Sequence, residues 1–367
     1  MNRNVSVYLD LMRLVAALGV FLGHVRHLMM PGMPAIIGGQ AGECVAIFFV
    51  LSGFVISFVT DGKERDWKAY SKARAFRMYS VVTIALLVTF AADQIGLSGN
   101  AAFYANLPKI DIPFNPYPSI SEIFSYLTFT NEVWFQSVVI GTNQPYWSIG
   151  FEVSYYLLFG ILVFTPKPAR IWAFLVAAIF VGPKIVLFFP LWLIGVAAHR
   201  IVRRPILPTL RTRLAGLALF VGSGIAYLIV RFALSHHVTA IFVFEEPKQV
   251  AISWLYFHLI GLTVAANIIG FAFLTSSLEV WPASIARSIR WLAGASFSLY
   301  LMHLPILLAI LALFPQVRQT GPGIIAIAAI LAIILLLAEV GERRKRQMEN
   351  LLSRFRGRLA SAPRAQT

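Results

Sequence analysis

Along this chain apolar residues collect into runs too long and too continuous for the core of a soluble domain, with polar residues gathered between them. Segments that can be drawn as spans lie at about 8–29, 41–60, 78–97, 146–165, 171–183, 185–199, 214–234, 251–275, 291–313 and 323–341. A helix needs ~20 such residues to cross the hydrocarbon layer. The pattern therefore predicts an all-α polytopic membrane protein of about ten transmembrane helices, with both ends on one side. The first run has Arg3 ahead of it, as a signal peptide would. Asp10 and Arg13 interrupt it and no small-x-small cleavage site follows, so it reads as a retained helix.

Two stretches decide the count, and basic residues arbitrate. Under the ten-span reading, 24 Lys and Arg fall on one side and 6 on the other, with Arg13 inside the first helix, which predicts cytoplasmic N- and C-termini. A crossing at 121–141 would throw the downstream basic clusters outside, so that stretch is expected to be interfacial or re-entrant. Residues 171–199 could form one long helix, but the same argument favours a hairpin turning at Gly182-Pro183-Lys184. The longest non-spanning stretch, 98–145, carries Pro108, Pro113, Pro116, Pro118 and Pro145 and is expected to face outward, as a sugar-binding surface or a structural lid. Residues 1–341 read as one membrane domain and 342–367 as a basic cytoplasmic tail suited to an anionic lipid surface.

Composition agrees. Of 367 residues 58% are apolar and only 13% charged, about half the charge of a soluble domain, while 29 Phe, 8 Trp and 12 Tyr exclude a disordered chain. The net charge of +15 would suit nucleic acid, but the basic residues flank apolar runs instead of coating one face, so no nucleic-acid partner is expected. The single Cys44 excludes an intramolecular disulfide, and no metal site is expected.

Charged groups inside spans are costly and mark function by default. Asp10, Arg13, His24 and His27 lie in the first run. Arg13 and His24 share a helix face about 16 Å apart, and Asp10 can pair with Arg13. Glu152, embedded in PYWSIGFEVSYYLLF, shares a face with Tyr155 and Tyr156 and has Trp147 near the interface. From the opposed directions of the two helices, His24 and Glu152 are expected at similar depth, where they would form a general-base pair if the helices meet. Arg74 and Arg77 stand at i and i+3, a spacing suited to phosphate and also explained by topology alone. Ser52-Gly53 permits close helix packing, and His303 is either a satisfied core histidine or a site residue.

Four separated motifs, LDLMR with ten residues between Arg13 and His24, FFVLSGFVIS, WSIGFEVSYY and SFSLYLMHLP, stand in the order found in acyltransferase family 3, and Arg74-Ala-Phe-Arg77 fits that family's RxxR element. The chain resembles that family over about residues 9–341, with Leu14 in place of the usual glycine and Ser80 near the usual proline. The resemblance implies transfer of an acyl group, usually acetyl, from acyl-CoA as co-substrate, with no bound cofactor. The acceptor would be a hydroxyl of a carbohydrate, lipid-linked carbohydrate or other envelope or secreted molecule, and the place a bacterial inner membrane. It makes His24 the catalytic residue, with Arg13, Arg74, Arg77 and Glu152 in support. A transporter or proton-coupled flippase using the buried Arg, His and Glu as a relay is the alternative. A non-catalytic partner in polysaccharide assembly is a third.

Overall fold

The structure is a computed structural model that describes residues 2–107, 114–238 and 247–343; most of the expected basic tail, together with Pro108, Lys109 and Pro113, lies outside those residues. The described residues form α1 (Arg3–His24), α2 (Ala35–Gly38), α3 (Ala41–Gly62), α4 (Trp67–Gly99), α5 (Ala101–Ala105), α6 (Ile120–Leu127), α7 (Trp147–Phe164), α8 (Lys167–Val181), α9 (Pro183–Val202), α10 (Leu210–Leu234), α11 (Pro247–Leu274), α12 (Ala283–Ala293), α13 (Ser296–Leu313) and α14 (Thr320–Val340). Nine of these segments are long and apolar enough to cross a membrane.

The tenth expected span is α8. Its 15 residues rise only about 22 Å, yet it returns the chain to the side where α7 begins. The carbonyl of Val181 accepts from the backbone N–H of Trp134 at 3.1 Å, and Lys184 pairs with Glu132. Asn131 and Glu132 in turn pack on Gly150 in the first turn of α7. The reversal after α8 is made at Gly182, whose φ of +87° suits a residue without a side chain. The 171–199 hairpin is therefore present, and the turn lies where the sequence places it.

The stretch 121–141 does not span. It holds the eight-residue α6, opened by a capping box between Ser119 and Glu122, followed by turns in which Phe129 and Trp134 take positive φ. The expected span 291–313 is divided: α12 is a separate helix whose Ala286 and Ile289 pack on Val7 while Trp291 and Ile285 are exposed. Arg287 and Arg290 on α12 keep it out of the apolar layer, and the break at Gly294 lets α13 turn inward.

Both ends of the described chain share one face. Asn2 lines a cavity with Asp61, His199 and Arg203, at the ends of α3 and α9. Arg3 reaches the carbonyl of Trp281, Arg343 that of Trp291, and Arg290 lies 3.9 Å from Asp10.

Helix α13 is buried along nearly its whole length and packs against α1, α4 and α14, whereas α10 buries only Gly216 and Ser223. An apolar helix with no apolar core to enter needs lipid around it, so α10 marks the periphery and α13 the axis. Between α3 and α9 the backbones touch: a Cβ on Gly53 would strike the carbonyl of Trp192, and one on Gly195 the carbonyl of Val50. Close approach of this kind drives helix association in lipid.

Candidate functional site

A cavity lies among α1, α3, α4, α7 and α13. Its wall on α3 runs from Val45 to Ile56, a rise of about 16 Å. Most of that wall is apolar, with Phe48, Phe49, Leu51 and Val55 among its residues and Ser52 near its middle, and Ile149 joins the lining from α7.

Arg13 from α1 and Arg77 from α4 both line the cavity. Arg13 has Asp10 at 3.6 Å, the i, i+3 pair expected from the sequence. Arg77 makes no ion pair within 4 Å among the described residues, although the carboxylates of Glu152, Glu342 and Glu64 all act on it through space. A guanidinium so placed has donors left for an anion.

On the α7 side Ser52 donates to Glu152 Oε1 at 2.9 Å, and the Tyr156 hydroxyl donates to the same oxygen. The backbone carbonyl of Tyr156 accepts from Tyr70 at 2.9 Å. Arg74 lies over the rings of both Tyr70 and Tyr156, at 5.7 and 5.6 Å, and donates to Glu64 at 2.6 Å. It belongs to the packing behind the wall. Trp147 packs edge-on against Phe49 and Phe151, and Ser148 bonds Tyr300 at 2.8 Å.

Beside the cavity, at the start of α13, Glu342 accepts from the backbone N–H of Ser298 at 3.1 Å and from its hydroxyl at 3.2 Å, capping the first turn of α13 within electrostatic reach of Arg13 and Arg77. Burial raises its carboxyl above the ordinary value, against the opposing pull of Ser298 and the two arginines.

Tyr300 lines the cavity from α13. One turn further along α13 is His303, wholly buried, with Nδ1 2.9 Å from the carbonyl of Leu299 and Nε2 3.1 Å from Nδ1 of His24. His24 Nδ1 is also 3.1 Å from the carbonyl of Val20. His24 is half-buried as a residue, and α1 widens into a π-helical turn, Val25–Met29, immediately after it. Such widened turns recur at functional sites.

The residues singled out in the sequence thus fall into two groups. Arg13, Ser52, Arg77, Glu152 and Tyr156 meet around one cavity, with Asp10 behind Arg13 and Trp147 and Arg74 in its supporting wall. His24 and His303 meet one turn of α13 past Tyr300. The expected pairing of His24 with Glu152 is not formed: α3 and α13 pack against α1, Glu152 bonds Ser52 and Tyr156, and His303 takes the place beside the imidazole. The expected Arg74-Arg77 fork is also not formed, because Glu64 engages Arg74; the two guanidiniums that share the cavity are Arg13 and Arg77. Gly53 turns to α9 and lines nothing. Glu342, Ser298, Ser148 and Tyr300 were not foreseen. Glu342 is masked by the basic run that follows it, although a carboxylate at the end of the last span is a signal that could have been weighed.

A family model described as an acyltransferase domain, that of acyltransferase family 3, matches residues 6–338. No curated protein and no solved structure matches the chain.

Proposed function

The chain belongs to acyltransferase family 3, and from that premise we propose that this multi-pass membrane acyltransferase moves an acyl group, acetyl by preference, from cytoplasmic acyl-CoA to a hydroxyl of a carbohydrate or lipid-linked carbohydrate. The membrane would be a bacterial inner membrane, with the 24 basic residues of the richer side in the cytoplasm. The supporting observation is the shape of the cavity. It carries Arg13 and Arg77 on its wall, runs for about 16 Å along α3, and is lined on α13 by Tyr300, one helical turn before His303, which contacts His24. A pantetheine arm is a thin chain of about that length, so phosphates held near the arginines would leave the thioester near the imidazole.

In this reading His24 is the base. The acceptor hydroxyl gives its proton to His24 Nε2 as its oxygen attacks the thioester carbonyl. The carbon–sulfur bond then breaks, and the proton passes from Nε2 to the departing CoA thiolate, leaving ester, free CoA and neutral histidine. Ser52, Tyr156 and Glu152 hold the wall along which the donor lies.

The test is release of free CoA by the purified protein in lipid, supplied with acetyl-CoA and a carbohydrate acceptor. Thiol release by the parent, and a fall of ~10²–10⁴ in His24→Ala with the fold intact, are expected. Movement of a labelled glycolipid across the vesicle with no consumption of acyl-CoA would replace this reading with the transporter.

A further inference from the structure

We propose that His303 is a positioning residue that leaves Nε2 as the only basic nitrogen of His24; the functional part of this inference rests on the acyl-transfer reading above. The argument follows the hydrogens outward from the buried end. The carbonyl of Leu299, 2.9 Å from His303 Nδ1, can only accept, so Nδ1 carries the proton. Neutral His303 then has a lone pair on Nε2, and that lone pair faces His24 Nδ1 at 3.1 Å. Two lone pairs cannot face each other at that distance, so His24 Nδ1 must also carry its proton. The carbonyl of Val20, at 3.1 Å from the same nitrogen, makes the same demand. His24 Nδ1–H is shared between a backbone carbonyl and an imidazole, and the remaining nitrogen, Nε2, is free to take the acceptor's proton.

His303 supplies what Val20 cannot. A carbonyl of the same helix four residues back accompanies any histidine of this rotamer, whereas His303 lies on a different helix and fixes the ring from across the interface. It also accepts a charge-assisted hydrogen bond when His24 becomes imidazolium. The pair has the layout of a base and its orienting group, with a neutral imidazole, itself locked by Leu299, in the place usually taken by a carboxylate. The wholly buried side chain of His303 fits this part and does not fit direct contact with either substrate.

Two measurements test it. With ¹⁵N-labelled histidine, His24 and His303 of the parent should both show a protonated Nδ1 and an unprotonated Nε2, with coupling between His24 Nδ1–H and His303 Nε2. This readout needs no turnover, so it stands or falls separately from the acyl-transfer reading. The second is kinetic. His303→Leu should lower kcat 10- to 100-fold with the KM for acyl-CoA unchanged, and His303→Gln, whose amide oxygen can sit where Nε2 sits, should recover part of that loss. Protonation of His24 at Nε2 in the parent, or equal kcat losses in the folded Leu and Gln variants, or full kcat in His303→Leu, would each overturn the proposal.

Discussion

The guanidinium of Arg74 donates to the carboxylate of Glu64 at 2.6 Å, and this one contact separates two arginines that sequence spacing makes equivalent. Arg74 is held behind the wall and Arg77, one turn on, faces the cavity. Arg77→Ala is expected to weaken acyl-CoA binding by ~1.5–3 kcal/mol, as a rise in KM with kcat little changed, and Arg77→Lys to recover only part because a point charge lacks the fork. Arg74→Ala should instead cost stability. It leaves Glu64 largely buried without its partner, a loss of about 3 kcal/mol that Glu64→Gln in the same chain should mostly restore. Thermal unfolding and donor titration of the four variants distinguish the roles. Equal KM effects for Arg74→Ala and Arg77→Ala, with unchanged unfolding, would show the two arginines to be one site after all.

Glu152 should behave as part of the cavity wall. In Glu152→Gln the remaining amide oxygen still accepts from Ser52 and Tyr156, so the helices stay joined while the charge is lost. A fall of roughly tenfold in kcat/KM, about 1.4 kcal/mol, is expected, with the pH profile of kcat unmoved because among the described residues no hydrogen bond or ion pair links Glu152 to His24. A displaced kcat profile would show that the two communicate.

Much of the architecture was legible because a bilayer permits few solutions. Apolar length gave the spans, and basic asymmetry correctly rejected a crossing at 121–141 and required the turn at Gly182. The site was legible one helix at a time. Periodicity assigns a depth and a face to Arg13, His24, Glu152 and His303, but which faces meet depends on helix order in the plane of the membrane, and no local pattern encodes that order. Hence the residue beside His24 is His303 and not Glu152. Hence too Arg77 shares its cavity with Arg13, from a different helix, and not with Arg74 beside it in sequence.

The contact between α3 and α9 admits no side chain at Gly53. Gly53→Ala places a methyl group against the Trp192 carbonyl, which cannot move without parting the helices, and should cost at least ~2 kcal/mol in thermal unfolding. Gly222→Ala, in α10, where nothing lies within 4 Å of the new methyl, should be neutral or stabilising by up to ~1 kcal/mol. Similar unfolding temperatures for the two variants would mean that α3 and α9 pack less closely than this.

Since Asn2, Asp61 and Arg203 gather on one face, reporters fused within 61–66 and 203–209 must read the same side, and the basic asymmetry makes that side cytoplasmic. Opposite signals from the two loops would mean that α8 and α9 do not form two crossings.

The last prediction turns on Glu342. Its carboxylate caps α13 within electrostatic reach of Arg13 and Arg77, so an incoming anionic donor meets it as a competing negative charge. Burial raises its pKa above the ordinary carboxylate value, and the sign follows. Ionisation is the costly state in the folded protein. The stability contribution of this group is full below the ordinary value and is lost as pH rises through the raised one. As pH falls through that same window the carboxyl becomes neutral and the competing charge disappears. The KM for acyl-CoA should therefore fall on acidification from neutral pH. Glu342→Gln should have the low KM throughout, and stability at neutral pH at least equal to the parent's. The donor's own phosphates titrate identically in both assays, so the difference between the two KM profiles reports Glu342 alone. Parallel profiles, or a higher KM in Glu342→Gln, would mean that Glu342 serves α13 as a cap and has no part in admitting the donor.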